Sequence, residues 1–203
     1  MTPKKQASGE AAVALKPSAR ERLIDAAYRC FDRYGLQKTT MDDVAKAAGC
    51  SRQTVYNNFA TKADIVTAIC LIESGKLNEV VMRSVRAKRS LEGKITESIM
   101  ATLRLGITNP YIRRLIEPAD IRQRATDPTD PIHAAQRQRW EPLLQPAIEN
   151  GDIAPDLDLD EIVAWLTMAQ MMLVLRFDLE QLDKAEIERL VRRFIIVPLL
   201  RKS

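Results

Sequence analysis

The chain has 203 residues, of which 46% are hydrophobic and 29% charged, and a net charge of +4. That length allows one large domain or two small ones, and that composition is globular. With three scattered cysteines and one histidine, His133, it offers almost no metal-ligand set and little acid–base machinery, so no metal, no cofactor and no enzymatic activity are expected.

Residues 1–17 are polar, contain two prolines and read as a disordered arm. Lys4 and Lys5 are not followed by an apolar run, so no signal peptide is expected. The longest nearly apolar stretch, 162–175, is interrupted by Thr167 and Gln170 and falls short of the ~20 residues of a bilayer span. A cytoplasmic location is expected.

From Ser18 onward helix signals follow one another. Ser18 with Glu21 forms a capping-box pattern. Leu23, Ala26, Ala27, Cys30, Phe31 and Tyr34 then make one apolar stripe that Gly35 ends. Thr40 with Asp43 repeats the pattern before Val44, Ala45 and Ala48, and Gly49 closes that helix. Ser51 caps a third helix with Val55 and Phe59 inside, and Leu36 and Met41 should close over the small core. Thr61 with Asp64 opens a long helix expected to run from 62 into the high 80s.

About two residues separate the second and third helices. That brevity, with small Ala45 and Ala48 at the contact, forces the steep crossing of a helix-turn-helix. The third helix is polar outside: Ser51, Arg52, Gln53, Thr54, Tyr56, Asn57 and Asn58 offer hydrogen-bonding groups of the kind that read base edges in a major groove. Charge is distributed to match. Residues 1–62 hold eleven Lys or Arg against six Asp or Glu, while the rest hold twenty against twenty-one. The basic excess therefore sits with the motif, as a phosphate-binding module requires.

Beyond residue 90 the pattern stays helical. Ile95, Ile99, Met100, Leu103 and Ile107 mark one helix, and Trp140, Leu143, Leu144 and Ile148 another, which Pro142 and Pro146 should bend or break. Helices capped by Asp158 and Asp183 follow, with 151–158 as a loop. The first is apolar nearly all round and the second becomes so from Phe194 to Leu200, so each needs covering on two sides. That predicts a homodimer built on a four-helix bundle, with Ile162, Leu166, Leu173, Leu190 and Phe194 at its interface. Met100, Leu103, Ile107, Trp140, Leu144, Met168 and Met172 are candidates for an apolar ligand pocket. Arg113, Arg114, Arg122, Arg124, Arg137 and Arg139 read as a solvated, salt-bridged face, with an anionic ligand as the other reading. His133 is expected at the surface; the three cysteines read as buried or half-buried free thiols, the other reading being Cys50, in the predicted turn, as a candidate oxidation sensor.

The stretches T-T-x-x-D-V-A-x-A-A-G at 39–49 and S-x-x-T-V-Y-x-x-F at 51–59 resemble the tetracycline-repressor (TetR) family of bacterial transcription regulators. The helix ending in Phe31, Tyr34 and Gly35, and Lys62 at the next helix start, add to the resemblance, which covers about residues 20–70. It implies an all-α fold: a helix-turn-helix domain over 18–62 and a ligand-binding and dimerisation domain over 63–203. It also implies a dimeric repressor on a palindromic DNA operator, released by a small effector expected here to be mainly apolar. The other reading is a ligand-independent DNA-binding or protein-interaction dimer. By position, Arg52, Gln53 and Thr54 would read bases, Tyr56 and Lys62 would hold phosphates, and Thr40 would cap the helix that touches the backbone. Asn58 departs from the histidine or aromatic residue usual before the Phe.

Overall fold

A computed structural model describes residues 17–114, 129–176 and 183–200. Most of the expected N-terminal arm, together with Arg122 and Arg124, lies outside the described residues, as do the side chains of Ile107, Arg113 and Arg114. The chain divides into two compact units, Met1–Ile65 and Val66–Ser203. The described residues are all-α, apart from one isolated antiparallel bridge between Ile153 and Leu200.

The first unit holds α1 (Ala19–Tyr34), α2 (Met41–Ala48) and α3 (Arg52–Asn58), and α4 (Lys62–Val85) starts within it. Its helix ends are set by local chemistry. Ser18 and Thr40 each complete a capping box, with Glu21 and Asp43 respectively. Thr61 and Asp64 make the same reciprocal pair at the start of α4, at 2.8 and 3.2 Å. Gly49 ends α2 at φ 66° and ψ 36°, the left-handed region that a side chain would strain.

Small residues allow close packing here. Ala26 and Ala27 of α1 and Val44 and Ala45 of α2 are buried, with Leu23, Phe31, Val55 and Phe59 filling the space between helices. Leu36 and Met41 are half-buried at its edge. Thr39 is buried too, and its hydroxyl donates to the Cys30 and Gly35 carbonyls at the end of α1.

The second unit contains most of α4, then α5 (Leu91–Thr108), α6 (Pro110–Arg114), α7 (Pro131–Glu149), α8 (Leu159–Arg176) and α9 (Lys184–Leu190). A π-helical turn over Val191–Ile196 continues directly from α9. α5 packs against α7, α8 and the π turn, and α7 packs against α8. Ile95, Ile99, Leu103, Trp140, Leu144, Ile162 and Leu166 are buried in this core.

Two expectations change. α7 is not broken: it runs through both Pro142 and Pro146. The two prolines are four apart and both exposed, as is Gln138, so the carbonyls they leave without a ladder partner meet water. The segment after α9 is also less apolar outside than its sequence suggests. Val191, Ile195, Ile196 and Leu199 are covered by their own chain, leaving Phe194 and Val197 exposed.

Hydrogen bonds at the caps hold the Glu21 and Asp43 carboxyls below their ordinary values: chiefly the Ser18 backbone N–H for Glu21, and the Thr40 hydroxyl for Asp43. A lowered folded value means stability that is fully present at neutral pH and is lost as pH falls through the carboxylate range. Asp43→Asn should therefore make the first unit less sensitive to acid, with less stability at pH 7. Urea melts at pH 7 and pH 3.5 test this, and an unchanged difference between the two would contradict it.

Candidate nucleic-acid interface

α3 is only seven residues long, and its position comes from its two ends and its inner side. Ser51 Oγ accepts from the Thr54 N–H at 3.1 Å. Val55 (0% exposed) and Phe59 (2%) fix the inner side. Arg52, Gln53, Tyr56 and Asn57 consequently face outward, with Ser51 exposed before them and Thr54 half-buried. The site residues expected on α3 thus share one short, rigidly seated helix.

Their side chains are not equally available. Gln53 Nε2 donates to Asn57 Oδ1 at 2.8 Å, so these two amides form one pair on the outer face. Asn58 turns its amide back onto the Thr54 carbonyl, also at 2.8 Å, and is half-buried. Arg52 pairs with Asp42 of α2. Any DNA contact by Arg52 competes with that carboxylate, a partner the sequence reading missed.

Thr40 is exposed and occupied with its cap: its hydroxyl donates to Asp43 Oδ2 at 2.6 Å. Lys62 sits differently from the expectation of a phosphate contact. Its Nζ donates to the Leu36, Gln37 and Thr39 carbonyls at 3.0, 3.1 and 3.0 Å. An ammonium has three protons, and here all three have acceptors. In this form Lys62 clamps the α1–α2 connection.

Two arginines outside the motif do related work. Arg20 donates to the Asn58 carbonyl at 3.1 Å and stacks over the Phe59 ring at 4.2 Å, which satisfies the end of α3. Arg29 donates to the Ala47 carbonyl at 3.0 Å, near the end of α2. Their place on the outer side of the α1 stripe was legible, but their targets were not.

In the second unit the expected pocket residues separate into two places. Met100, Leu103, Trp140 and Leu144 are buried in the core. Met168 and Met172 are 39% and 63% exposed on the opposite side of α8 from Ile162 and Leu166. They line an apolar groove of about 340 Å³ with Trp165, Leu173, Leu190 and Phe194. Met168 and Met172 therefore do not share an enclosed pocket with Leu144.

The expected interface residues divide as well. Ile162 and Leu166 face the protomer's own core, and Leu173 is almost fully covered, because α8 turns that side toward α5 and α7. Leu190 and Phe194 remain at the groove.

His133 and Arg139 are buried rather than solvated, because the side of α7 that carries them packs into the core. Burial alone pushes the Arg139 guanidinium down to about 10. Arg137 fits the salt-bridged reading, pairing with Asp160 at 2.8 Å and with Glu141. Cys30 and Cys70 are buried and Cys50 is half-buried. Among the described residues no group of three or more His, Cys, Asp or Glu is gathered to hold a metal, and no helix is long and apolar enough to cross a membrane.

Two helices crossing at a tight glycine turn, the second seated with a polar outer face, define a helix-turn-helix protein. The sequence profile described as bacterial regulatory proteins, tetR family, matches residues 23–69. Over those residues the chain is similar to the tetR family.

An uncharacterised helix-turn-helix-type transcriptional regulator of Mycobacterium tuberculosis is 34% identical over 94 residues, 46% of each chain. The match thus spans about half the length of that relative. The transcriptional repressor KstR2 of Rhodococcus jostii is 26% identical over 153 residues, 71% of this chain and 72% of its own. Among solved structures, Thermus thermophilus FadR in complex with lauroyl-CoA superposes with a TM-score of 0.64 at 21% identity, over 91% of this chain and 97% of its own. That likeness shows the fold.

Replacing Lys62 by Met leaves three carbonyls, two of their bonds half-buried, without a donor. Unfilled acceptors of this kind cost roughly 1–3 kcal/mol each, less where water reaches them. Lys62→Met should destabilise the first unit by about 2–4 kcal/mol in urea unfolding. A change under about 0.5 kcal/mol would show that the clamp contributes nothing.

Proposed function

We propose that the protein is a transcriptional regulator that binds a palindromic DNA operator as a homodimer and is released by a small, mainly apolar effector. The observation that carries this is α3: a capped, core-anchored helix whose outward residues are all polar or aromatic, in a segment holding the chain's basic excess. The relative named as a repressor supports repression over activation. Such a regulator performs no catalytic step and acts in the cytoplasm.

In this reading Arg52, Gln53, Thr54 and Asn57 meet base edges, while Ser51, Tyr56 and the exposed start of α2 at Thr40 meet the phosphate backbone. Asn58 contributes through the helix end rather than through a base. Lys62 positions α2 and adds its charge to the local field. Two copies of α3 would enter successive major grooves, about 34–36 Å apart.

In this reading the second copy docks on the apolar groove of α8 and the π turn. Trp165, Met168, Met172 and Phe194 are 39–63% exposed and contiguous, an arrangement that a stable monomer rarely leaves uncovered. A two-fold interface there pairs the same patch on both protomers. The effector would act through α4, whose residues pass from the first unit into the second. It shifts the equilibrium only as far as it binds the DNA-free state better.

Two variants test separate parts of this reading. Thr54→Ala should lower affinity for the preferred site by about 1–3 kcal/mol, with little change on random DNA. Equal losses on both would remove α3 from base reading. Met172→Glu with Phe194→Glu should give a folded monomer in sedimentation that binds a full operator no better than a half-site. A dimer that persists would move the interface elsewhere.

A further inference from the structure

α7 carries a polar stripe inside the core. His133, Gln136 and Arg139 recur at every third position and are 8%, 4% and 1% exposed. Gln170 of α8, fully buried, meets Arg139. Core positions take apolar residues unless polar groups there are satisfied. These are not. Arg139 Nη2 donates to the side-chain oxygens of Gln136 and, at 3.2 Å, of Gln170. Arg139 Nε, Trp140 Nε1 and Gln170 Nε2 have no acceptor.

The deficit is of one kind. All three orphan groups are N–H donors, and the two nearby amide oxygens already serve Arg139. The guanidinium also has no carboxylate partner among the described residues; desolvation is the one cause acting on it. A water molecule would supply an acceptor but no charge. Arg139 is, besides, the only buried Lys or Arg among the described residues.

We infer that this cluster is the headgroup site of the effector, and that the effector carries a single carboxylate on an apolar body, held by Arg139 with the Trp140 and Gln170 N–H groups around it. This rests on the effector reading above. A guanidinium presents paired donors that match a planar carboxylate. One buried cation balances a monoanion. A phosphate near two charges would leave excess negative charge in a low-dielectric core. Around it the buried side chains are apolar: Leu144 further along α7, Leu103 of α5 and Leu166 of α8, on helices that pack together.

The test uses the full chain and straight-chain monocarboxylates from hexanoate to dodecanoate, each beside its methyl ester, with binding followed by calorimetry. At least one acid should bind at least about tenfold more tightly than its ester, the scale of a charge-assisted pair. Arg139→Met should abolish that preference while leaving ester binding in place. Its melting temperature without ligand should equal or exceed the wild type's, since no counter-ion is stranded by the change. Trp140→Phe, which removes one orphan donor and keeps a ring, should weaken acid binding several-fold with ester binding unchanged. Acid and ester binding equally to the wild type would overturn the headgroup site and leave an apolar effector standing. Failure of every acid and every ester to bind would remove both readings. Acid preference surviving in Arg139→Met, or an Arg139→Met chain that does not fold together with an unaltered Trp140→Phe, would make Arg139 a structural residue only.

Discussion

A helix of seven residues does not hold together in water by itself, since isolated helices shorter than about 12–15 residues are marginal. α3 exists because Val55 and Phe59 are buried, Ser51 caps one end and Arg20 takes up the Asn58 carbonyl near the other. The proposed DNA-reading face depends on that seating. Anchoring one side of so short a helix leaves only one orientation for the rest, and Arg52, Gln53, Tyr56 and Asn57 are outside as a consequence. The same logic explains Lys62. Its ammonium ties the α1–α2 connection to the start of α4, and a base-reading helix is useful only if the frame behind it does not move.

The two units spend their polar groups in different ways. In the first, nearly every polar side chain of note ends a helix or satisfies a backbone group, as Thr39, Thr40, Arg20, Arg29 and Lys62 do. In the second, the core of α7 and α8 holds a guanidinium and two amides whose donors exceed their acceptors. A packed apolar core would be more stable than that arrangement. Sequences commonly depart from local stability where a site needs the departure. The outer groove of α8 is a different departure, leaving Met172 and Phe194 in water until a second surface covers them.

Local signals were legible in the sequence. The capping boxes at Ser18, Thr40 and Thr61, the stop at Gly49 and the apolar stripe of α1 as far as Phe31 each rest on contacts a few residues apart, and each appears in the structure, while Tyr34 is exposed. What was not legible depends on tertiary placement. Pro142 and Pro146 signal a bend or a break, and α7 is not broken because their uncovered carbonyls face water. The dense arginines look alike in sequence, and only packing separates Arg137, in a surface network with Asp160, from Arg139, fully enclosed. A signal was present: Arg139 keeps the three-residue spacing of His133 and Gln136 and adjoins Trp140, which places it on the inner side. α8 shows the same limit. Its apolar circumference announces two contacts, but not that Ile162 and Leu166 serve the protomer while Trp165 and Met172 are left outside.

The proposed function requires α3 to read a defined operator in two copies. The most direct measurement is selection from a pool of random duplex DNA by the purified full chain, followed by sequencing. The expected result is enrichment of an inverted repeat whose half-sites lie about one helical turn, roughly 10–10.5 base pairs, or a multiple of it apart. A pool that stays random after repeated rounds, or that yields a single site without two-fold symmetry, would contradict it.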